Sequence, residues 1–230
     1  MFVSAIIPAA GLGLRLNSRI PKPLVRLNKK PIFLHTVGIL SSHPDIKELI
    51  LVVSADNFNL VNSYIKKNKV AKIRDLVIGG GRRRDSVSNG LKRVSREAEF
   101  ILVHDAVRPF IELDMISRVI QEAKNCKAAV LGVPVKATVK EIDVTGRVLR
   151  TLKRQRLYEI QTPQVFQRDL IINAYQRFPN IAAVDDASLV EKAGNKVSVV
   201  LGSYFNIKIT TPEDLVFAKA ILKYQNNLKL

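Results

Sequence analysis

One cysteine, Cys126, occurs in the 230 residues, so no internal disulfide can form, and a lone thiol without clustered histidines is not a metal site. Tryptophan is absent, and 5 Tyr with 9 Phe leave little aromatic surface for stacking bases. The histidines are three, His35, His43 and His104, and no nucleophile-elbow sequence accompanies them, which removes support for serine–histidine–acid hydrolysis. No apolar stretch approaches the ~18 residues of a membrane span, and the opening MFVSAIIPAAG lacks a basic leader and breaks at Pro8. A cytoplasmic location with no membrane partner is the expectation.

Acidic residues are also scarce: 20 Asp+Glu face 37 Lys+Arg, a net charge of +17. Such a balance speaks to partners or to surface bias, not to fold. The basic residues are spread along the chain instead of gathered with aromatics, which argues against nucleic acid as a partner. A solvated basic surface accounts for most of them. The local clusters GGGRRRDS and Arg147 to Arg156 suit a phosphorylated small substrate better.

With 47% hydrophobic residues the chain can bury a proper core, and a single domain over 1–230 is expected. Short β-branched runs alternate with helix-period stretches: Val3–Ile7 then Ile32–Leu40, Leu49–Val53 then Asn59–Lys66, Ile73–Ile78 then Arg84–Val94, Phe100–Val103 then Leu113–Ala123, and Ala128–Val133. That alternation predicts crossover units and a mostly parallel sheet flanked by helices, an α/β fold. Helices near Arg168–Phe178 and Asp186–Ala193, a strand at Lys196–Leu201 and a closing helix opened by Thr211-Pro212-Glu213-Asp214 complete the reading. Lys136 to Gln155 alternates β-branched and polar residues around Thr145-Gly146 and reads as a hairpin. An isolated hairpin is marginal in water, so a second subunit is a natural packing partner for it.

In parallel sheets ligands sit beyond the carboxyl ends of the strands. Three of those ends carry unusual loops. The first, PAAGLGLRL, has Gly11 and Gly13 but Leu16 where a dinucleotide fingerprint needs a third glycine, and no Walker lysine follows. Its backbone amides, from Ala9 and Ala10 through the glycines, can approach a polyphosphate, with Arg15 and Lys22 adding charge. Lys22 lies between Pro21 and Pro23, which push Ile20 and Lys22 toward extended geometry and out of helix. The second loop, GGGRRRDS, either presents Gly79 and Gly80 to a flat base or is a plain strand-to-helix turn, with Asp85 or Ser86 as the cap. The third, HDAVRP, places Asp105 to take a ribose hydroxyl, to sit near a metal carried by phosphates, or to cap a helix; His104 reads as a packed imidazole.

AAGLGLRL, PKPL, GGGRRRDSV, VHDAVRPF, VPVKATVK, QTPQVF, DDASLVE and NIKITTPEDL occur here in the order and approximate spacing of the 2-C-methyl-D-erythritol 4-phosphate cytidylyltransferase family, which the chain resembles along essentially its whole length. The resemblance implies a three-layer, Rossmann-like nucleotidyltransferase with a protruding β-hairpin arm at about 136–155. It implies transfer of CMP from CTP to the sugar-alcohol phosphate with release of pyrophosphate, Mg²⁺ or another divalent cation held mainly through the CTP phosphates, and a homodimer whose arms complete each other's sites. By the same resemblance Arg15 and Lys22 serve the α-phosphate, and Arg154 and Lys208 position the sugar phosphate. Gly79, Gly80 and Ser86 meet the cytosine; Asp105, Ala106 and Arg108 meet the ribose and diol; Thr138 and Thr162 are arm-side contacts. Gly81, Pro23, Ala137 and Val184 depart from the family pattern. A cytidylyltransferase for another sugar-alcohol phosphate, such as ribitol 5-phosphate, is the alternative activity, since the nucleotide half would be shared.

Overall fold

The computed structural model describes residues 1–11 and 21–227, so the expectations for Gly13, Arg15, Leu16 and Ile20 lie outside it. The strands are β1 (Val3–Pro8), the short pair β2 (Arg26–Leu27) and β3 (Lys30–Pro31), β4 (Ile46–Val53), β5 (Ile73–Ile78), β6 (Phe100–Val103), β7 (Ala128–Pro134), β8 (Lys140–Ile142), β9 (Val148–Thr151), β10 (Tyr158–Gln167) and β11 (Ser198–Leu201). The α-helices are α1 (Ile32–Ser42), α2 (Phe58–Lys67), α3 (Arg83–Leu91), α4 (Leu113–Cys126), α5 (Arg168–Arg177), α6 (Asp186–Lys192) and α7 (Pro212–Asn227). Seven strands form one sheet in the order β11-β7-β10-β6-β1-β4-β5. Within this sheet, among the described residues, only the two ladders made by β10 are antiparallel.

The side-chain alternation of the strands sorts the core into two layers. Ala5, Ile7, Leu49, Leu51 and Leu102 pack on α1, α2 and α4, through residues such as Phe33, Val37, Val61 and Ile116. Ile6, Ile50, Val52, Ile101 and Val103 pack on α3, α5 and α6, through Val87, Ile171, Ala174 and Leu189. Helices thus cover both faces, the three-layer arrangement that near-continuous apolar strands require. A third, smaller cluster joins Ala218 and Ile221 of α7 to Leu27, Ile32, Val107, Phe110 and Ile209.

The differences from the expected elements are local. β4 begins at Ile46, not Leu49, because Glu48 is buried within it: Ser4 Oγ donates to its carboxylate at 2.7 Å, Ser95 N at 2.8 Å and Arg74 Nη1 at 2.6 Å. A charge so paired is tolerated in a strand interior. α3 stops at Leu91, short of Val94, where the chain turns and brings Ser95 N onto Glu48. β10 has no counterpart among the expected strands. Its Thr162-Pro163 is a strand-breaking signal, and its pairing with β7 shifts register between Ile160 and Gln164, which accommodates the proline. Lys22 is a further correction. It opens a 3-10 turn, Lys22–Leu24, rather than extended chain. The turn needs only the donors Leu24 N, to Pro21 O at 2.8 Å, and Val25 N, to Lys22 O at 3.2 Å, so the N–H that Pro23 lacks is not missed.

β8 and β9 form the expected hairpin as a separate two-stranded sheet, with Glu141 facing Arg150. At its tip Gly146 takes φ +84°, and the Asp143 carboxylate accepts from Thr145 N at 2.8 Å and Arg147 N at 2.9 Å. Ile142, Val144, Val148 and Leu149 are exposed along it.

Candidate active site

The parallel strands deliver their carboxyl ends to one edge of the sheet, and there a cavity of about 750 Å³ opens. Pro8 to Gly11 enter it after β1, Ser54 and Ala55 after β4, Ile78 to Gly81 after β5, and Asp105 with Val107 after β6. Lys22, Pro23, Arg82, Arg83, Ser86 and Lys208 complete the wall. Loops widely separated in sequence therefore converge because β1 is central: the chain steps to β4 and β5 on one side of it and returns to β6 on the other.

The glycine turn after β5 is shaped by close packing. A Cβ on Gly79 would lie 2.5 Å from the Ala10 Cβ and 2.6 Å from Ser86 Oγ, and one on Gly80 would collide with Asp85. Gly79 N donates to Val53 O at 2.8 Å and Gly80 N to Ser86 Oγ at 3.2 Å. Asp85, not Ser86, serves the start of α3: its carboxylate accepts from Arg82 N at 3.2 Å from the third helical position. The Ser86 hydroxyl instead braces the turn that faces the cavity.

Asp105 is the electrostatic centre. Its Oδ1 accepts from Arg83 Nε at 3.0 Å, its Oδ2 lies 2.8 Å from Lys208 Nζ, and Arg108 Nε stands 3.6 Å from Oδ2. Burial pushes the carboxyl upward, but Arg83, Lys208 and Arg108 outweigh it and hold the group far below the usual carboxylate range. Lys208 reaches this position because Ile209 N donates to Val107 O at 3.0 Å, tying the segment before α7 to the loop after β6. With Lys22 also lining the cavity, the site presents cations and glycine-loop amides, an arrangement suited to a polyanion.

His104 is the packed imidazole expected. Its Nε2 donates to Arg108 O at 3.1 Å and its Nδ1 accepts from Thr162 Oγ at 3.0 Å. Burial lowers its pKa to about 4. The unfolded value lies near 6.5, so as pH falls the unfolded chain takes up this proton first, and stability is lost between about pH 6.5 and 4. The loss attributable to His104 is about 3 kcal/mol. Urea unfolding at pH 7 and pH 4.5 is expected to show most of this slope, and His104→Gln should flatten it; an equal slope in the variant would exclude His104 as its source. His35 and His43, also lowered chiefly by burial, contribute in the same direction.

Ala9, Ala10, Gly11, Lys22, Gly79, Gly80, Ser86, Asp105 and Lys208 all line the cavity. Ala106 is fully buried beneath it, its carbonyl accepting from Thr36 Oγ1. Arg108 is partly buried with Nη1 on Asn206 O at 2.7 Å and Nε near Asp105, and Thr162 is buried with its hydroxyl accepting from Asp105 N at 3.1 Å. Thr138 and Arg154 are not brought to this cavity. Thr138 is exposed, and Arg154 Nη1 donates to Lys136 O at 2.6 Å at the root of the hairpin. Among the departures, Gly81 and Pro23 line the cavity, Ala137 is exposed near the hairpin, and Val184 is almost fully exposed. The sequence reading passed over Arg83 as a site residue; its signal was the arginine run between the glycine turn and Asp85.

Among the described residues no group of three or more His, Cys, Asp or Glu could hold a metal ion. Among the described residues Asp105 is the one carboxylate lining the cavity, and Arg83, Arg108 and Lys208 share it. Such a donor set makes no protein cage and fits a hard divalent cation that arrives on phosphates and keeps its waters. Among the described residues, no helix is long and apolar enough to cross a membrane.

The family model described as IspD, 2-C-methyl-D-erythritol 4-phosphate cytidylyltransferase, matches residues 3–224. Proteins named 2-C-methyl-D-erythritol 4-phosphate cytidylyltransferase from Desulforamulus reducens and Syntrophus aciditrophicus are 44% and 45% identical to it. The first covers 97% of this chain and 97% of its own, the second 96% of each. The crystal structure of 4-diphosphocytidyl-2C-methyl-D-erythritol synthase from Anaerococcus prevotii superposes with a TM-score of 0.87 at 36% identity, over 96% of both chains. With these likenesses running through every strand that feeds the cavity, the chain belongs to the 2-C-methyl-D-erythritol 4-phosphate cytidylyltransferase family.

Proposed function

We propose that this chain, acting as one catalytic domain in the cytoplasm, transfers CMP from CTP to 2-C-methyl-D-erythritol 4-phosphate. The products are 4-diphosphocytidyl-2-C-methyl-D-erythritol and pyrophosphate, in the non-mevalonate route to isoprenoid precursors. The observation that carries the reading is the meeting of Lys22, Lys208 and the two glycine-bearing loops in one cavity at the strand ends.

A phosphate oxygen of the acceptor attacks the α-phosphorus of CTP, a new P–O bond forms, and the bond to the β-phosphate bridging oxygen breaks as pyrophosphate leaves. The protein has no covalent step to perform, so its work is positioning and charge neutralisation. Amides of Ala9 to Gly11 take the triphosphate, and Gly79, Gly80 and Ser86 take the cytosine. Lys22, with Arg15, neutralises charge that builds at the α-phosphorus. Lys208 binds the acceptor phosphate, while Asp105 and Arg108 form the ribose and diol side. A divalent cation such as Mg²⁺ would be carried by the CTP phosphates, with Asp105 as the carboxylate in reach, and would supply further charge neutralisation.

Thr138 and Arg154 act on the site of a second copy. The separation of the hairpin from the chain's own cavity and its exposed Ile142, Val148 and Leu149 support that reading. The test is pyrophosphate release with CTP and either the methylerythritol phosphate or ribitol 5-phosphate. Turnover with the first and at most a few per cent with the second is expected; the reverse would assign the alternative activity.

A further inference from the structure

Three consecutive arginines follow the glycine turn, and the structure gives each a different task. Arg82 pairs with Asp85 at 2.9 Å at the surface. Arg84 is buried, and its Nη1 donates to Phe178 O and Ile181 O, both at 2.7 Å, fastening the segment between α5 and α6. Arg83 lines the cavity as Arg82 does, but it holds two carboxylates at once: Nε donates to Asp105 Oδ1 at 3.0 Å and Nη2 to Asp186 Oδ2 at 2.9 Å.

Asp186, the first residue of α6, is wholly buried and does not line the cavity. Its other oxygen accepts from Tyr175 OH at 2.5 Å. Its place is secured by the neighbouring chain: Gln164 of β10 donates to Asp185 at 2.7 Å and accepts from Ala187 N at 3.0 Å. The carboxylate is therefore a fixed post for Arg83. A guanidinium whose fork is held at both ends has one orientation, which a lysine in its place could not reproduce. On Asp105 the two oxygens are divided, Oδ1 facing Arg83 and Oδ2 facing Lys208. The rotation of that carboxylate, set by Arg83, fixes where the Lys208 ammonium stands.

We infer that Arg83, clamped by Asp186, is a positioning residue that sets the place of Lys208 through Asp105, so that α6 governs affinity for the acceptor phosphate. The inference rests on the proposed binding of that phosphate by Lys208. Burial opposes the charge on Arg83, but Asp186 and Asp105 outweigh it and hold the group well above the ordinary arginine value, so the clamp stays ionised at every working pH.

Asp186→Asn is the cleanest test, because the side chain is buried away from the cavity and the amide keeps its shape. Steady-state kinetics of Asp186→Asn, Lys208→Ala and the double variant form a cycle. Asp186→Asn is expected to raise KM for the sugar phosphate about tenfold while KM for CTP stays within about twofold, and to have less than about a twofold effect in the Lys208→Ala background. Equal effects in both backgrounds, or parallel changes in both KM values, would mean a merely structural role and overturn the inference. If Lys208→Ala itself leaves the sugar phosphate KM unmoved, the assignment of Lys208 falls and the inference with it. Should Asp186→Asn not fold, as judged by circular dichroism, Arg83→Lys takes its place in the same cycle: it keeps the charge and loses the fork, and the same coupling to Lys208 is required.

Discussion

Lys22→Ala is expected to lower kcat by on the order of 10²- to 10³-fold while leaving KM for CTP within a few-fold, the signature of a charge used mainly where charge develops in the transition state. The residue lines the cavity, as Gly11 and Pro23 do, and its backbone is set by the Lys22–Leu24 turn. On the proposed reading the amides of the first loop hold the triphosphate in the ground state whether or not Lys22 is present, which is why binding should survive its loss. Pyrophosphate release under saturating substrates reads kcat directly. A Lys22→Ala enzyme within threefold of the parent would remove Lys22 from the chemistry. A rise in KM for CTP at unchanged kcat would reassign it to ground-state binding.

Mixing two inactive variants should restore activity. Lys22→Ala damages the cavity but leaves the hairpin root intact; Arg154→Ala does the opposite. If each site joins the cavity of one subunit to the hairpin of its partner, half of the dimers in an equal, re-equilibrated mixture carry one variant of each kind. Each such dimer holds one intact site of two, so the mixture is expected to recover about a quarter of the parent activity from components that are each nearly inactive. The effect is large against a background of a few per cent. Recovery would place Arg154 in trans. A mixture no more active than its components, with subunit exchange verified by a tagged copy, would place Arg154 in its own chain or outside the site altogether. The physical motive for the trans arrangement is the hairpin itself: two short strands exposing Ile142, Val148 and Leu149 bury too little to be held by their own chain.

Most of the sheet was legible from residue order, because β1, β4, β6 and β7 are largely buried and read as apolar runs between helical periods. β10 was not legible, since an interior Thr162-Pro163 argues against a strand, and only the neighbouring β6 and β7 make it one. The start of β4 was hidden for a related reason: Glu48 looks like surface until Ser4, Arg74 and Ser95 are seen to surround it.

The site divides along the same line. Glycine spacing, the prolines around Lys22 and acid at the end of a strand are local facts, and they sufficed to name Gly11, Lys22, Gly79, Gly80 and Asp105 as candidates, because loops after parallel strands must share one edge. Which of three consecutive arginines grips the carboxylate at that edge is not a local fact. Arg83 is singled out by Asp105, 22 residues later, and by Asp186, 103 residues later, and such pairings exist only once α3, β6 and α6 have packed together. Residue order decided the kind of chemistry the loops could offer; the packing of distant helices decided how its charges are held, since long-range ion pairs are set by tertiary contact and carry no periodic mark in the chain.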